Sequence, residues 1–528
     1  MKKITAFIMT FLLAFTAFGL FGCDCGNGDS NGAFTVVYYP GGYGSDWLED
    51  FVKEFIATKK YDGDVEKVTK SDYKLTARED VGSASSIIMK SKSCPDLILA
   101  NGIENQDISD GLVADLTDVY NTEVNTSAGK IAIKDYIMPE SRMSFTRSIR
   151  VGGASGQWAV PWTAIPLSIA YNETLLNKIT HTTSGNAGEC IVDGKWAKAP
   201  TTFEELLTCF NDIAAQGQVD GQDVKAFGFS MKDGTLWFES LIYVWWAQYQ
   251  GIDESNIVGQ DAFYDFFNLD TAEKYKQDGI VKALEKVQQL ITKDGAFANV
   301  YGDPSALTIK DVQPAFARGE MVFCLTGDFF AKEYKTTLDA NKAKVNVKLM
   351  KVPAFDTTHN QNYTFLNTTS CMYVPENAKN KDLAKEFLAF INDEDHLVRF
   401  TAYTGGIRPF GTNTTESKAA IKAKYLTAKD WGDFEKSTFD LYFDCDDVVM
   451  SFPRNYKNRP NEEPSIFYTY NISSRSLWGD YPTLLDKMRT DTIVNLVINN
   501  EDSLYELSKQ NYEDKKSNYG SYMITSIA

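Results

Sequence analysis

The chain predicts an α/β fold, and three observations point there. Along its 528 residues, short apolar, β-branched and aromatic runs alternate with stretches of helical periodicity. No internal repeat and no heptad run occurs, which argues against solenoids and coiled coils. About 495 residues follow a leader and tether, enough for two to three domains or one large two-lobed body with a generous core.

The elements follow in order. Phe34 to Tyr39 is a first strand, closed by Pro40-Gly41-Gly42. Asp46 to Ala57 places Trp47, Phe51 and Phe55 four apart on one helix face, with Asp46 and Glu49 in the favourable first turn. Asp96 to Ala100 is a short buried strand, and Trp158 to Pro161 leads into the extended run Leu167 to Asn172. A helix begins after Pro200, where Thr202 and Glu205 form a capping box and Phe203, Leu206, Leu207, Phe210 and Ile213 line one face. Asp311 to Arg318 is a short helix stopped by Gly319, and Met321 to Leu325 is the strand that follows. Asn346 to Pro353 is extended, and Leu383 to Ile391 is helical. Thr412 to Ser474 reads as loop-rich, and Glu501 to Ser517 as an exposed helix.

The leader fixes the compartment. Met1-Lys2-Lys3 precedes a charge-free run from Ile4 to Phe21, the pattern of an export signal. Leu20-Phe21-Gly22-Cys23 resembles a bacterial lipobox, which implies cleavage before Cys23 and a diacylglycerol on its thiol. Two acyl chains suffice for stable anchoring where one is marginal. An uncleaved anchor of about 18 apolar residues is the alternative, since that length can just span a bilayer. Asp24 after the lipidated position resembles the inner-membrane retention signal of lipoproteins in cells with two membranes. Residues 1–22 are therefore read as signal peptide and 23–33 as a flexible tether of Gly, Asn, Asp and Ser.

Composition narrows the partners. Loss of Lys2 and Lys3 with the leader takes the formal charge from −18 to −20, so nucleic acid and anionic lipid are poor partners for the surface. Tyr, Phe and Trp are abundant, supplying core and flat platforms for a ligand. Cys94, Cys190, Cys209, Cys324, Cys371 and Cys445 are an even set in an exported chain, with pairing left open.

Catalytic and metal signatures are sparse. His181, His359 and His396 are far apart, without zinc-site spacing. Gly153-Ala154-Ser155-Gly156-Gln157 fails as a nucleophile elbow at its last position, and no phosphate-binding loop occurs. A carboxylate pair for glycoside hydrolysis is a three-dimensional property and stays open. Asp440, Asp444, Asp446 and Asp447 lack the Gly and terminal Glu of an EF-hand loop, so a solvated acidic face is favoured over calcium. No cofactor, metal site or enzymatic activity is expected.

Several segments, taken in order, resemble the extracellular solute-binding proteins of ABC importers, in the carbohydrate-binding family that includes maltose-binding protein. They are Pro95 to Leu99, Trp158 to Trp162 with Leu167 to Asn172, Pro200 to Leu206, Ala315 to Met321 with Thr326 to Phe329, Ala378 to Ile391, and Gly405 to Pro409. Gly327-Asp328-Phe329 departs from the family's common Gly-Pro-Trp, and Ile179 to Lys198 and Thr412 to Ser474 look like insertions. The resemblance implies a two-lobed, type II periplasmic-binding-protein-like fold whose hinge strands frame a cleft. Lobe one is placed at 34–163 plus 353–400, and lobe two at 164–352 plus 401–528. It also implies a monomeric, non-catalytic receptor on the extracytoplasmic face of the membrane that hands a sugar or oligosaccharide to permease subunits. An anionic solute such as a glycerophosphodiester or uronate, held by Arg408, is the alternative, and a cell-surface glycoside hydrolase the rival of a different class. Expected cleft residues are Tyr39, Tyr43, Asn101, Trp162, Thr163, Asp328, Phe329 and Arg408, with Trp237 and Trp478 matching ring positions of the maltose-binding relatives. Trp245 and Trp246 are expected in the core.

Overall fold

In a computed structural model, the structure describes residues 32–60, 69, 71–138, 141–142, 145–149, 154–230, 232, 235–252, 262–263, 273, 276–293, 296–449, 486–507, 509 and 524–526. The leader, Cys23 and the tether to residue 31 lie outside them, as do Trp478, residues 450–474 of the second insertion and residues 510–517 of the expected terminal helix.

The strands that build the two main sheets are β1 (Phe34–Tyr38), β2 (Tyr73–Ala77), β3 (Leu97–Ala100), β4 (Val160–Pro161), β5 (Ile165–Asn172), β6 (Lys225–Gly228), β7 (Met321–Gly327), β8 (Val347–Met350), β9 (Tyr363–Asn367), β10 (Cys371–Tyr373) and β11 (Asp447–Val449). The first sheet has the order β2-β1-β3-β10-β4. The second has the order β6-β7-β5-β9-β11, and β8 pairs with the far half of β5 where β9 has ended. Each sheet is covered on both faces, so its central strands read as unbroken apolar runs. In β3, Leu97 and Leu99 enter a cluster with Phe34, Trp47, Phe51 and Phe387, while Ile98 and Ala100 enter another with Trp158, Cys371 and Tyr373.

Among the described residues, three segments join the lobes. The chain leaves the first sheet through 162–164 and returns through 368–370. After the helix Glu394–Thr404, which packs on the helix Asp46–Lys60, it runs along the junction again at 405–408. The segments are tied together: Trp162 N donates to Ser370 O (3.2 Å), and Ala164 N donates to Ile407 O (3.0 Å).

Two expectations change here. Residues 353–367 belong with the second sheet rather than lobe one, because β9 takes its register from β5 (Phe365 opposite Leu167) and Phe355 packs in the lobe-two core. Likewise, residues 401–404 complete a helix of lobe one. The stretch from Thr412 is not loop-rich throughout, since it contains the helices Thr415–Thr427 and Asp433–Phe443. The first buries only Ile421 and Tyr425, too few apolar positions to show a helical period, and it starts from a polar capping pair, Thr414 with Ser417.

The capping box at Thr202 and Glu205 forms as expected and starts the helix Phe203–Gln216. Trp245 and Trp246 are fully buried, with Trp245 Nε1 donating to Pro353 O (2.9 Å). Their helix, Thr235–Gln250, escaped the sequence because its run from Leu241 to Ala247 is buried all round and shows no polar stripe. Among the described residues the six cysteines are free thiols. The acidic cluster holds its own cation: Lys422 Nζ lies 3.0 Å from Asp440 and 2.7 Å from Asp444. Among the described residues no group of three or more His, Cys, Asp or Glu side chains is arranged to hold a metal.

Candidate functional site

The interlobe floor is built where the three crossings meet the loop after β1 and the loop after β7. Glycines set the first loop close to lobe two. A Cβ on Gly42 would lie 2.8 Å from the Phe329 Cβ, and one on Gly406 would lie 2.4 Å from the Tyr43 ring. Both positions need the missing side chain so that backbone and ring can touch.

Tyr43 is the centre of this floor. Its ring meets Trp162 edge-on (5.5 Å), Phe329 edge-on (6.2 Å) and Phe400 at a tilt (6.1 Å). Its hydroxyl donates to Asp328 Oδ1, a bond between side chains of opposite lobes. Thr163 Oγ1 lies 3.3 Å from the same hydroxyl and 3.1 Å from Ile407 O. Asp328 is 1% exposed, and among the described residues its Oδ2 has no hydrogen-bond partner. Burial pushes its carboxyl up to about 7, against the hydrogen bond from Tyr43 and the nearby backbone N–H groups of Ile407, Phe329 and Asp328 itself, which favour the charged form.

Nearer the rim stand Tyr39, half-buried, and Asn101, exposed, whose side chains face each other. The Tyr39 hydroxyl is held above its usual range by burial and then by the charges of Glu79 and Glu333. Lys332 Nζ reaches toward Asp46 Oδ2 of the other lobe (3.9 Å). The sequence reading missed Glu79, Lys332, Glu333, Gly406 and Phe400. No motif marks the charged residues, and only the Gly405-Gly406 pair, quoted as a landmark, carried a signal.

The expected residues divide into groups. Tyr39, Tyr43, Asn101, Trp162, Thr163, Asp328 and Phe329 gather around the floor and rim. Trp162, 3% exposed, lies beneath Tyr43 and stacks on Trp47 (5.8 Å, 15° between planes), so it supports the floor rather than lining it. Arg408 does not face the cleft. Its guanidinium donates to Ile391 O (2.5 Å) and Asn392 Oδ1 (2.5 Å), lies 5.1 Å from the Phe410 ring, and is 1% exposed. Burial lowers its pKa to about 9. It therefore closes off the C-terminus of the helix Lys381–Phe390, and the expected anion contact is corrected to a structural one. Trp237 lies in the first turn of its helix, with its side chain outside the described residues.

The sequence profile of the bacterial extracellular solute-binding proteins matches residues 67–428, more than half of the chain. The chain belongs to that family. No curated protein sequence matches this solute-binding protein. Its fold is similar to that of the bacterial solute receptor AcbH, described as preferring β-D-galactopyranose (TM-score 0.58, 13% identity, 93% of this chain and 100% of that one). It is also similar to the GacH receptor of Streptomyces glaucescens, described with acarbose (TM-score 0.54, 14% identity, 92% and 99% covered). A third is an ABC transporter solute-binding protein of Thermotoga lettingae bound to α-D-tagatose (TM-score 0.54, 14% identity, 91% and 99% covered). Such likeness carries the two-lobed type II fold. The family and these neighbours are binding proteins rather than enzymes. Among the described residues, no helix of this solute-binding protein is long and apolar enough to cross a membrane.

The inward position of Arg408 gives a prediction. Arg408→Met is expected to remove both bonds to the 391–392 turn and lower the unfolding midpoint by several degrees, with ligand affinity unchanged once folded. A binding isotherm that weakens tenfold or more at unchanged stability would restore Arg408 to the ligand site.

Proposed function

We propose that this protein is a receptor for an uncharged sugar or oligosaccharide, held between the lobes and delivered to an ABC permease. The observation that carries the reading is the mixture on the interlobe floor, where the Tyr43 and Phe329 rings meet edge-on from opposite lobes and the Tyr43 hydroxyl is bonded to the carboxylate of Asp328. Sugars suit that mixture, because a ring's CH face packs on an aromatic while carboxylate and amide oxygens accept from hydroxyls. The amide of Asn101 and the hydroxyl of Tyr39 add polar groups from lobe one. The sugar ligands described for the GacH, AcbH and Thermotoga receptors support the same class. An anionic ligand loses its cation with Arg408 turned inward. The lipobox at Cys23 supports an anchor on the extracytoplasmic face, with the protein working as a monomer.

A thermal-shift panel of mono-, di- and oligosaccharides tests the class. A cognate sugar at 100 times Kd stabilises by about 2.7 kcal/mol. A panel without any shift, alongside a shift from a uronate or phosphodiester, would overturn the neutral-sugar reading. Product analysis of the same incubations separates binding from hydrolysis, with the sugar expected to be recovered intact.

A further inference from the structure

The bond between Tyr43 and Asp328 joins side chains of the two lobes. Tyr43 belongs to the loop after β1 in lobe one, and Asp328 follows β7 in lobe two. Gly42 and Gly406 allow Phe329 and Tyr43 to come within van der Waals contact there, so the lobes already touch at the floor. We infer that Tyr43 and Asp328 form a proton-dependent latch that holds the empty receptor shut.

The chemistry follows from the surroundings of the carboxylate. Asp328 Oδ1 accepts from Tyr43, the backbone N–H groups of Ile407, Phe329 and Asp328 face the carboxyl, and among the described residues Oδ2 has no hydrogen-bond partner. Among the described residues no side-chain cation touches it. From the loop after β1 the titratable group in contact is Tyr43, whose hydroxyl burial and the Asp328 charge keep protonated. The 162–164 crossing contributes Thr163, and the 405–408 crossing contributes Arg408, which is committed to Ile391 and Asn392. The helix that follows offers Lys332, directed at Asp46, and Glu333, another carboxylate. An ionised Asp328 is therefore a buried charge without a counter-charge, a costly arrangement that protonation relieves.

Opening the lobes exposes the carboxyl to water and returns it toward the ordinary aspartate value of about 3.9. With the lobes in contact as they are here, burial holds it at about 7. The group binds its proton more tightly when closed, so the latch is fully effective below the open-state value and is lost as pH rises through about 7. Between those limits the closed-to-open ratio rises by up to about tenfold for each pH unit of acidification. A receptor populated in its closed state by protons alone binds and releases ligand through a pH-sensitive equilibrium.

Small-angle scattering of the full chain without ligand tests this, comparing pH 8 with pH 5.5. The radius of gyration is expected to fall on acidification and to return on back-titration. Asp328→Asn keeps an oxygen for Tyr43 but carries no charge, so it is expected to be compact at both pH values. Tyr43→Phe removes the donor and is expected to be more extended than the wild type at pH 5.5. An unchanged or larger radius for the wild type at pH 5.5 overturns the latch, and so does a wild-type pH response in Asp328→Asn. The wild-type titration decides the matter even where a variant fails to fold. No arm uses a sugar, so its outcome is separate from that of the ligand panel.

Discussion

Trp162→Ala is expected to cost the protein about 3 to 5 kcal/mol of folding stability, the range for a core tryptophan, with its effect on ligand affinity secondary. The ring is stacked on Trp47, meets Tyr43 and Phe400 edge-on, and its Nε1 lies 3.5 Å from Ala100 O. Truncation removes the support under Tyr43 and opens a gap between the first crossing and the helix Asp46–Lys60. Phe329→Ala is expected to show the opposite balance. That ring is half-buried at the interlobe contact, so its loss should weaken the best sugar by about 2 kcal/mol, roughly thirtyfold, at small cost in stability. Denaturant unfolding of the empty protein and calorimetric titration of the folded variants read the two effects separately. If Trp162→Ala keeps its unfolding midpoint and loses affinity instead, Trp162 is a ligand platform and the floor lies deeper than described.

Asp212→Asn should be comparably damaging, at about 3 to 5 kcal/mol, although it lies away from the cleft. Asp212 is wholly buried on the helix Phe203–Gln216, and four groups of the first insertion meet its carboxylate. Thr182 N and Thr183 N donate to Oδ1 (2.9 Å each), while Trp196 Nε1 (2.9 Å) and His181 Nδ1 (2.8 Å) meet Oδ2. Burial alone would raise its pKa, but these donors outweigh burial and hold it below the usual range. Its contribution to stability is therefore present above the unfolded aspartate value of about 3.9 and is lost as pH falls through the lower folded value. An amide at 212 offers one acceptor oxygen where two are used and sets its NH₂ against other donors. Urea unfolding should show a large deficit for the variant at neutral pH that shrinks below about pH 4. Equal stability of variant and wild type at pH 7 would mean that the insertion is not pinned through Asp212.

Residues 179–198 show why some of this is legible in the sequence and some is not. That segment stood out as an addition to the family pattern, but its anchor is a carboxylate more than a dozen residues downstream, and no local period connects the two. The helix Phe203–Gln216 was legible because its cap and its apolar face are both local. The helix Thr415–Thr427 was hidden because only two of its side chains are buried. Strand β9 was hidden for another reason: its partner β5 is distant in sequence, and register is a property of pairs.

The sequence by itself determined the α/β class and a family whose landmarks recur in order from Pro95 to Pro409, and it is the ground for the proposed leader and lipobox at residues 1–23. Those are local signals, written in period, capping chemistry and short motifs. It also named most of the residues that gather at the floor. What each of them does there was decided by the tertiary structure alone. Trp162, Arg408 and Asp328 are all polar-tipped or charged side chains near crossings, and nothing in their neighbours along the chain separates a platform, a helix-end clamp and a buried carboxylate. Burial separates them, because exposure to water and the partners within about 3 Å depend on segments hundreds of residues apart.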